Sequence, residues 1–225
     1  IIEDELDKMR DLGVTFQTNT IVGKTITYED LKAQGVDGIF IATGVGVANY
    51  MGIPGEDLKG VYTASEYLAK YNLMSPEELA EALPSLRGKR VAVIGGGNTA
   101  IDAVRTAIRL DAKQATIVYR RSEEEMPARA EEIKHAREEG TEFFNLHNPV
   151  EYLGDESGHV TAMRLERMEL GAPDESGRRR PVATGEIITV PVDEVIICIG
   201  YSASTLVTKS MPELEVNKWG NIVVD

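Results

Sequence analysis

Hydrophobic positions along the chain follow two periods in turn, one suited to helices and one to strands. Residues 2–12 place Ile2, Leu6, Met9 and Leu12 on one helical face, and Gly13 stops the pattern. VTFQTN (14–19) reads as a strand, and GIFIATG (38–44) as a short buried strand running into glycine. Residues 45–62, glycine-rich and with a proline, read as a connector. Two short helices suit 64–71 and 76–82, the second with Ser75 as N-cap and Pro76 at its first position. A strand at 90–94, a helix at 98–110 and a strand at 115–120 come next. A charged helix over roughly 127–139 stops at Gly140, and a strand at 141–146 follows. Antiparallel-looking strands are expected near 150–154, 159–169 and 185–192. DESG occurs at both 155–158 and 174–177, where such strands must reverse, and reads as two hairpin tips. VIICIG (195–200) is a further buried strand ending in glycine.

This pattern repeats weakly. DGIFIATG (37–44) matches DEVIICIG (193–200) in layout: an Asp, an apolar run, then Gly at the same offset. Upstream of each lies a helix ended by Gly and then a strand, at DLGVTFQ (11–17) and EEGTEFF (138–144). The second copy begins with a Gly-rich turn about 45 residues before Gly140. The same spacing would put the first copy's turn before residue 1. The expected architecture is therefore α/β: a Rossmann-like dinucleotide-binding domain with an antiparallel hairpin insertion, plus an incomplete second dinucleotide-binding domain. The expected boundaries are a partial dinucleotide-binding domain over 1–45, a complete one over 46–202, and a return segment over 203–225.

The chemistry concentrates in the turn. Gly95, Gly96, Gly97, Asn98, Thr99 and Ala100 fit the GxGxxA fingerprint, set between a strand and a helix as that motif requires. Gly95 permits the tight turn, Gly97 bares the backbone to a pyrophosphate, and Ala100 lets helix and strand pack closely. The free N–H groups and positive helix end at Asn98 and Thr99 favour an anion there. The next strand ends in Tyr119-Arg120-Arg121, where an NAD-specific unit carries a carboxylate for the ribose 2′-OH. Guanidiniums at that point grip a 2′-phosphate instead, so the expected ligand is NADP(H), with Arg120 and Arg121 as discriminators and Arg129 as a third contact.

Composition narrows the alternatives. The hydrophobic share of 42% and charged share of 27% suit a globular protein. No apolar run approaches ~18–20 residues, so no membrane span is expected. A net charge of -13 argues against nucleic acid as partner. The single cysteine, Cys198, excludes a CxxC pair and any self-contained iron–sulfur or zinc site, and points to a cytoplasmic setting. It reads as buried filler within its strand. His135, His147 and His159 are scattered and imply no metal site. Asp102 is explained by the helix dipole without a chemical role. Trp219 and Tyr201 read as core or surface packing residues, with a place beside a flavin as the alternative. Arg178, Arg179 and Arg180, just after the second DESG, read as a solvated loop, with a phosphate or partner site as the alternative.

VAVIGGGNTAIDAVRTAIRL, IVYRRSEEEMPA and EVIICIG together resemble the NADPH-binding part of the glutamate synthase small (beta) subunit family. The same module occurs in dihydropyrimidine dehydrogenase and related flavoprotein reductases. YRRSEEEMPAR following GGGNTAID is the most specific piece, and the resemblance covers nearly the whole chain. It implies two cooperating dinucleotide folds: the incomplete domain over 1–45 is then FAD-type, and the domain over 46–202 binds NADP(H). Thr43 and Gly44 then fall on the FAD side, and Gly200 with Tyr201 marks the exit from the NADPH unit. The implied reaction passes hydride from NADPH to FAD and electrons on to iron–sulfur clusters outside this chain. A large subunit or equivalent electron-accepting domain is the implied partner. No catalytic acid or nucleophile is expected, since such a transfer needs alignment more than proton movement.

The sequence departs from that family in lacking the FAD fold's Gly-rich turn, the C-terminal Gly-Asp motif and the cysteine-rich cluster region. The expectation is an excised piece that binds NADPH, holds FAD poorly and is inert alone. Two other classes stay open: a thioredoxin- or disulfide-reductase-type flavoenzyme, against which the missing CxxC argues, and a non-catalytic NADP-binding module.

Overall fold

The computed structural model describes residues 2–75, 78, 85–175 and 177–224. The chain divides into two compact units, one made of 1–47 with 201–225 and the other of 48–200.

The larger unit is built on a five-stranded parallel sheet. Its strands are β2 (Val61–Thr63), β3 (Arg90–Ile94), β4 (Gln114–Tyr119), β5 (Glu142–Asn145) and β9 (Glu194–Ile197), in the order β2-β9-β3-β4-β5. The strands read as unbroken apolar runs because both faces are covered. Val91, Val93, Ala115, Ile117 and Ile196 face one core, shared with the helices α3 (Ala64–Leu73), α4 (Asn98–Arg109) and α5 (Ala130–Glu138). Their neighbours Ala92, Ile94, Val118, Val195 and Ile197 face a second core. That one is covered by an antiparallel sheet of β6 (His147–Gly154), β7 (Val160–Pro173) and β8 (Arg179–Pro191). Helix α4 turns five buried side chains, among them Ile101 and Val104, onto the first core, as its apolar spacing requires. Arg105 ties α4 to α5 through Glu132 at 2.7 Å and Glu139 at 2.8 Å.

Both DESG stretches lie at reversals. At the first, Asp155 Oδ1 accepts from the backbone N–H groups of Ser157 and His159 at 2.8 and 3.1 Å, a side-chain substitute for a turn bond. At the second, Asp174 Oδ1 accepts from Arg178 N at 3.0 Å, and Ser176 lies outside the described residues. The helix expected at 76–82 lies, Glu78 apart, outside the described residues, although Ser75 and Glu78 exchange the two bonds of a capping box.

The amino ends of β3 and β9 are cross-linked by charge. Asp193 accepts from Arg90 Nε and Nη2 at 2.9 and 2.7 Å and from Arg90 N at 2.8 Å. Beside it Lys89 pairs with the buried Glu194, and His159 Nε2 lies 3.8 Å from the same carboxylate. Lys89 and Arg90, neighbouring basic residues in an acidic chain, therefore both have structural partners. Arg90's hydrogen bonds pull the Asp193 carboxyl from its ordinary 3.8 down to about 2. Because the folded value is the lower, its stabilisation is complete above pH ~4 and lost as pH falls through about 2. Discounted for partial exposure, Asp193→Asn is expected to lower stability by roughly 1–2 kcal/mol at pH 7. Urea denaturation at pH 7, 4 and 2.5 checks this, with the gap from the parent chain narrowing at the lowest pH.

The smaller unit contains α1 (Ile2–Asp11), α2 (Tyr28–Ala33), α6 (Leu206–Ser210) and a two-stranded sheet of β1 (Val45–Ala48) with β10 (Tyr201–Ala203). The strands expected at 14–19 and 38–44 are not formed. A strand needs a neighbour for its N–H and C=O groups, and neither segment finds one among the described residues. Phe40 is 92% exposed as a result. The repeat still carries meaning: Gly44 and Gly200 both take positive φ, 60° and 95°, and each leads into one of the two paired strands. Among the described residues no helix is long and apolar enough to cross a membrane.

Candidate dinucleotide site

Strands β4 and β5 lie on one side of β3, and β9 and β2 on the other. The chain direction around the sheet thus switches beside β3, and the carboxyl ends of β3 and β9 flank the crevice where such sheets receive ligands. Ile94 and Ile197 are in register there, and Cys198 N donates to Ile94 O at 2.8 Å.

The Gly-rich turn leaves this edge. Gly95 has φ 142°, and a Cβ on it would collide with the carbonyl oxygen of Cys198. A Cβ on Gly96 would stand 2.7 Å from the Tyr119 ring. At Gly97 it would meet nothing within 4 Å. The first two glycines are thus demanded by the chain's own packing, whereas Gly97 is bare on a side that nothing among the described residues covers. Gly97 is also the N-cap of α4, with no side-chain capping bond and no acidic residue in the first turn. Ala100 is fully buried beneath the turn. The N–H groups of Gly97, Asn98 and Thr99 make no hydrogen bond within the described residues, which leaves them for an anion. Asn98 itself is partly committed: its Oδ1 accepts from Arg129 N at 3.0 Å.

The loop after β4 closes over this turn. Ala128 N donates to Gly96 O at 3.1 Å, and Tyr119 Oη donates to Glu125 O at 2.8 Å. Tyr119 therefore lies against the turn and ties down the loop, a double role that its place in a strand run does not announce. The two discriminating arginines have different settings. Arg120 is exposed, and no hydrogen bond or ion pair holds its side chain among the described residues. Arg121 is buried at 7% exposure, its guanidinium 5.7 Å from the Tyr119 ring centroid and Nη1 3.7 Å from Glu125 Oε2. Arg129 is exposed and contributes its backbone to the loop clamp. Gly95–Ala100, Arg120, Arg121 and Arg129 thus gather at one edge of one sheet.

Cys198 lies one residue past β9 rather than within it, and burial pushes its thiol up to about 12, so it is inert at neutral pH. His147 stacks on Phe144 and bonds Asn145 O at 2.8 Å, while His135 is exposed. Among the described residues no three His, Cys, Asp or Glu side chains form a metal-binding group. In the smaller unit Thr43 and Gly44 are exposed, as is Trp219.

Known proteins resemble this chain in sequence, and others in fold. The chain is 40% identical over its full length to the beta subunit of an NADP(+)-dependent formate dehydrogenase from Moorella thermoacetica, covering 31% of that protein. It is 37% identical over 94% of its length to the glutamate synthase [NADPH] small chain of Escherichia coli, covering 46% of it. The chain thus spans between about a third and a half of these relatives. Among solved structures, Mycobacterium tuberculosis FprA in complex with NADPH superposes with a TM-score of 0.75 at 21% identity, over 96% of this chain and 60% of that one. A likeness at that identity speaks for the fold. Residues 4–225 match the profile of one oxidoreductase family, and on that match the chain belongs to the pyridine nucleotide-disulphide oxidoreductases.

Proposed function

We propose that the chain is the NADP(H)-binding part of a flavin-dependent reductase of the glutamate synthase small-chain type. The observation that carries this is the edge of the sheet beside β3. Unpaired first-turn N–H groups, a bare Gly97 and two arginines at the end of β4 stand together there, with no carboxylate at the last residue of that strand. The N–H groups of Gly97, Asn98 and Thr99 hold the pyrophosphate. Arg120 and Arg121 hold the 2′-phosphate, and Arg129 adds positive charge at the loop. When bound, NADPH supplies a hydride. This chain's residues supply grip and orientation and no proton-transfer group.

FAD, iron–sulfur clusters and an electron-accepting large subunit belong to this proposal through the resemblance to the glutamate synthase small-subunit family, and the Escherichia coli relative is itself a small chain. The described residues of the smaller unit contain no Gly-rich turn between strand and helix, so by themselves they do not make a flavin site. In this reading Thr43 and Gly44 are flavin-side positions of the whole protein, Gly200 marks the exit from the NADPH unit, and the boundaries near 45 and 202 separate the two cofactors. One buried cysteine suits a reducing, cytoplasmic setting.

Titration of the chain with NADPH and with NADH tests the assignment. NADPH is expected to bind at least ten-fold more tightly, about 1.4 kcal/mol. Equal affinities overturn it.

A further inference from the structure

The acidic loop that follows the two arginines poses an electrostatic problem. Glu123, Glu124 and Glu125 form a single 3-10 turn directly beside the proposed 2′-phosphate grip, where negative charge opposes the ligand. All three have cationic partners outside the grip. Glu123 pairs with Arg137 of α5. Glu125 is the critical one, because its side chain is largely buried and its Oε2 stands 3.7 Å from Arg121 Nη1.

The other oxygen of Glu125 is claimed from a distant part of the chain. Arg179, the first residue of β8, donates from Nε to Glu125 Oε1 at 2.6 Å. Its Nη2 lies 3.5 Å from Glu124 Oε2. Glu125 Oε2 is buried and accepts no hydrogen bond among the described residues. Arg121 donates no side-chain hydrogen bond there either, for 3.7 Å is a charge contact and not a bond. Glu125 is thus bonded to Arg179 and only adjacent to Arg121. Of the three arginines at 178–180, Arg178 and Arg180 are exposed, and Arg179 is the one engaged.

We infer that Arg179 is a specificity-determining residue that acts by position: it occupies the Glu125 carboxylate and so keeps Arg121's donors for the 2′-phosphate. Without Arg179, Glu125 is one small side-chain rotation from a bidentate pair with Arg121, which is the geometry that a carboxylate and a guanidinium prefer. Such a pair uses up the donors and cancels the charge on which recognition of the extra phosphate depends. The antiparallel insertion thereby takes part in cofactor choice, from the face of the sheet opposite the helices. Arg120 is exposed at the strand end and unaffected by the exchange, so the loss is partial.

The inference rests on the proposed NADP(H) site, and the test separates the two. NADP+ and NAD+ affinities are measured for the parent chain, Arg179→Ala, Glu125→Gln, and the pair combined. Arg179→Ala is expected to weaken NADP+ about ten-fold and leave NAD+ within two-fold, which also reports that the fold is intact. Glu125→Gln added to Arg179→Ala is expected to restore NADP+ binding, because the competing carboxylate is gone. A purely structural role for Arg179 predicts no such rescue. An unrescued double variant, an equal loss for both carriers, or unchanged NADP+ affinity in Arg179→Ala overturns the inference. A parent chain that does not prefer NADP+ overturns the site itself.

Discussion

Gly97→Ala is expected to fold normally and to lose dinucleotide affinity by on the order of 100-fold, whereas Gly95→Ala is expected to be severely destabilised. Both changes add one methyl group to the same turn, so the contrast isolates what each glycine is for. At Gly95 the methyl would meet the Cys198 carbonyl, which is fixed because Cys198 N is bonded to Ile94. The φ of 142° is itself closed to an L side chain. Strain and overpacking together come to about 3 kcal/mol or more, a large part of an ordinary domain's ~5–15 kcal/mol. At Gly97 the backbone has φ −89° and ψ 174°, which any residue adopts, and the methyl touches nothing in the chain. Changing Gly to Ala at an N-cap costs about 1 kcal/mol or less, roughly 2–4 °C in thermal midpoint. The methyl nevertheless stands where a phosphate must come within hydrogen-bond distance of bare N–H groups. Circular dichroism melts beside NADP+ titrations check both variants. A Gly97→Ala chain that binds as the parent does shows that the anion does not approach this turn.

The larger unit was legible in the sequence because its signals are local and mutually consistent. A strand buried on both faces reads as an apolar run, the fingerprint helix has regular apolar spacing, and both DESG stretches use an Asp for turn bonds. β3 matches its expected bounds, and α4 and β4 theirs to within a residue. The smaller unit was less legible. VTFQTN and GIFIATG have strand composition, but β propensity expresses fit to a pleated neighbour, and no such neighbour is among the described residues. β1 and β10 were missed for the converse reason. They are short, largely exposed segments defined by each other, and nothing in either one alone marks it.

At the site the sequence showed which residues come near the turn but not how each is held. It left open which of Arg120 and Arg121 faces solvent; just past β4, Arg120 is exposed and Arg121 is buried beside Tyr119. The role of Glu125 depends on Arg179, 54 positions away, through a contact that no local pattern encodes. The nearest hint was that three consecutive arginines in an acidic chain call for an explanation.

The unequal settings of the two arginines lead to the second large effect. Arg121→Ala is expected to weaken NADP+ by roughly 30- to 100-fold and Arg120→Ala by only about 3- to 10-fold, with NAD+ nearly unchanged in both. A charge-assisted hydrogen bond contributes about 1.5–3 kcal/mol where the donor is held and desolvated, and much less where a free side chain must be ordered first. Arg121 is of the first kind: buried, beside the Tyr119 ring, and with its backbone oxygen accepting from Leu146 N at 3.1 Å. Arg120 is of the second kind, so its smaller share should also fade more steeply with added salt. Arg121→Ala removes packing as well, at about 1 kcal/mol of stability, which the NAD+ titration registers separately. Together the two substitutions should erase the preference for the phosphorylated carrier. If the double variant still favours NADP+ ten-fold, the 2′-phosphate is gripped elsewhere, and the end of β4 serves only to hold the loop.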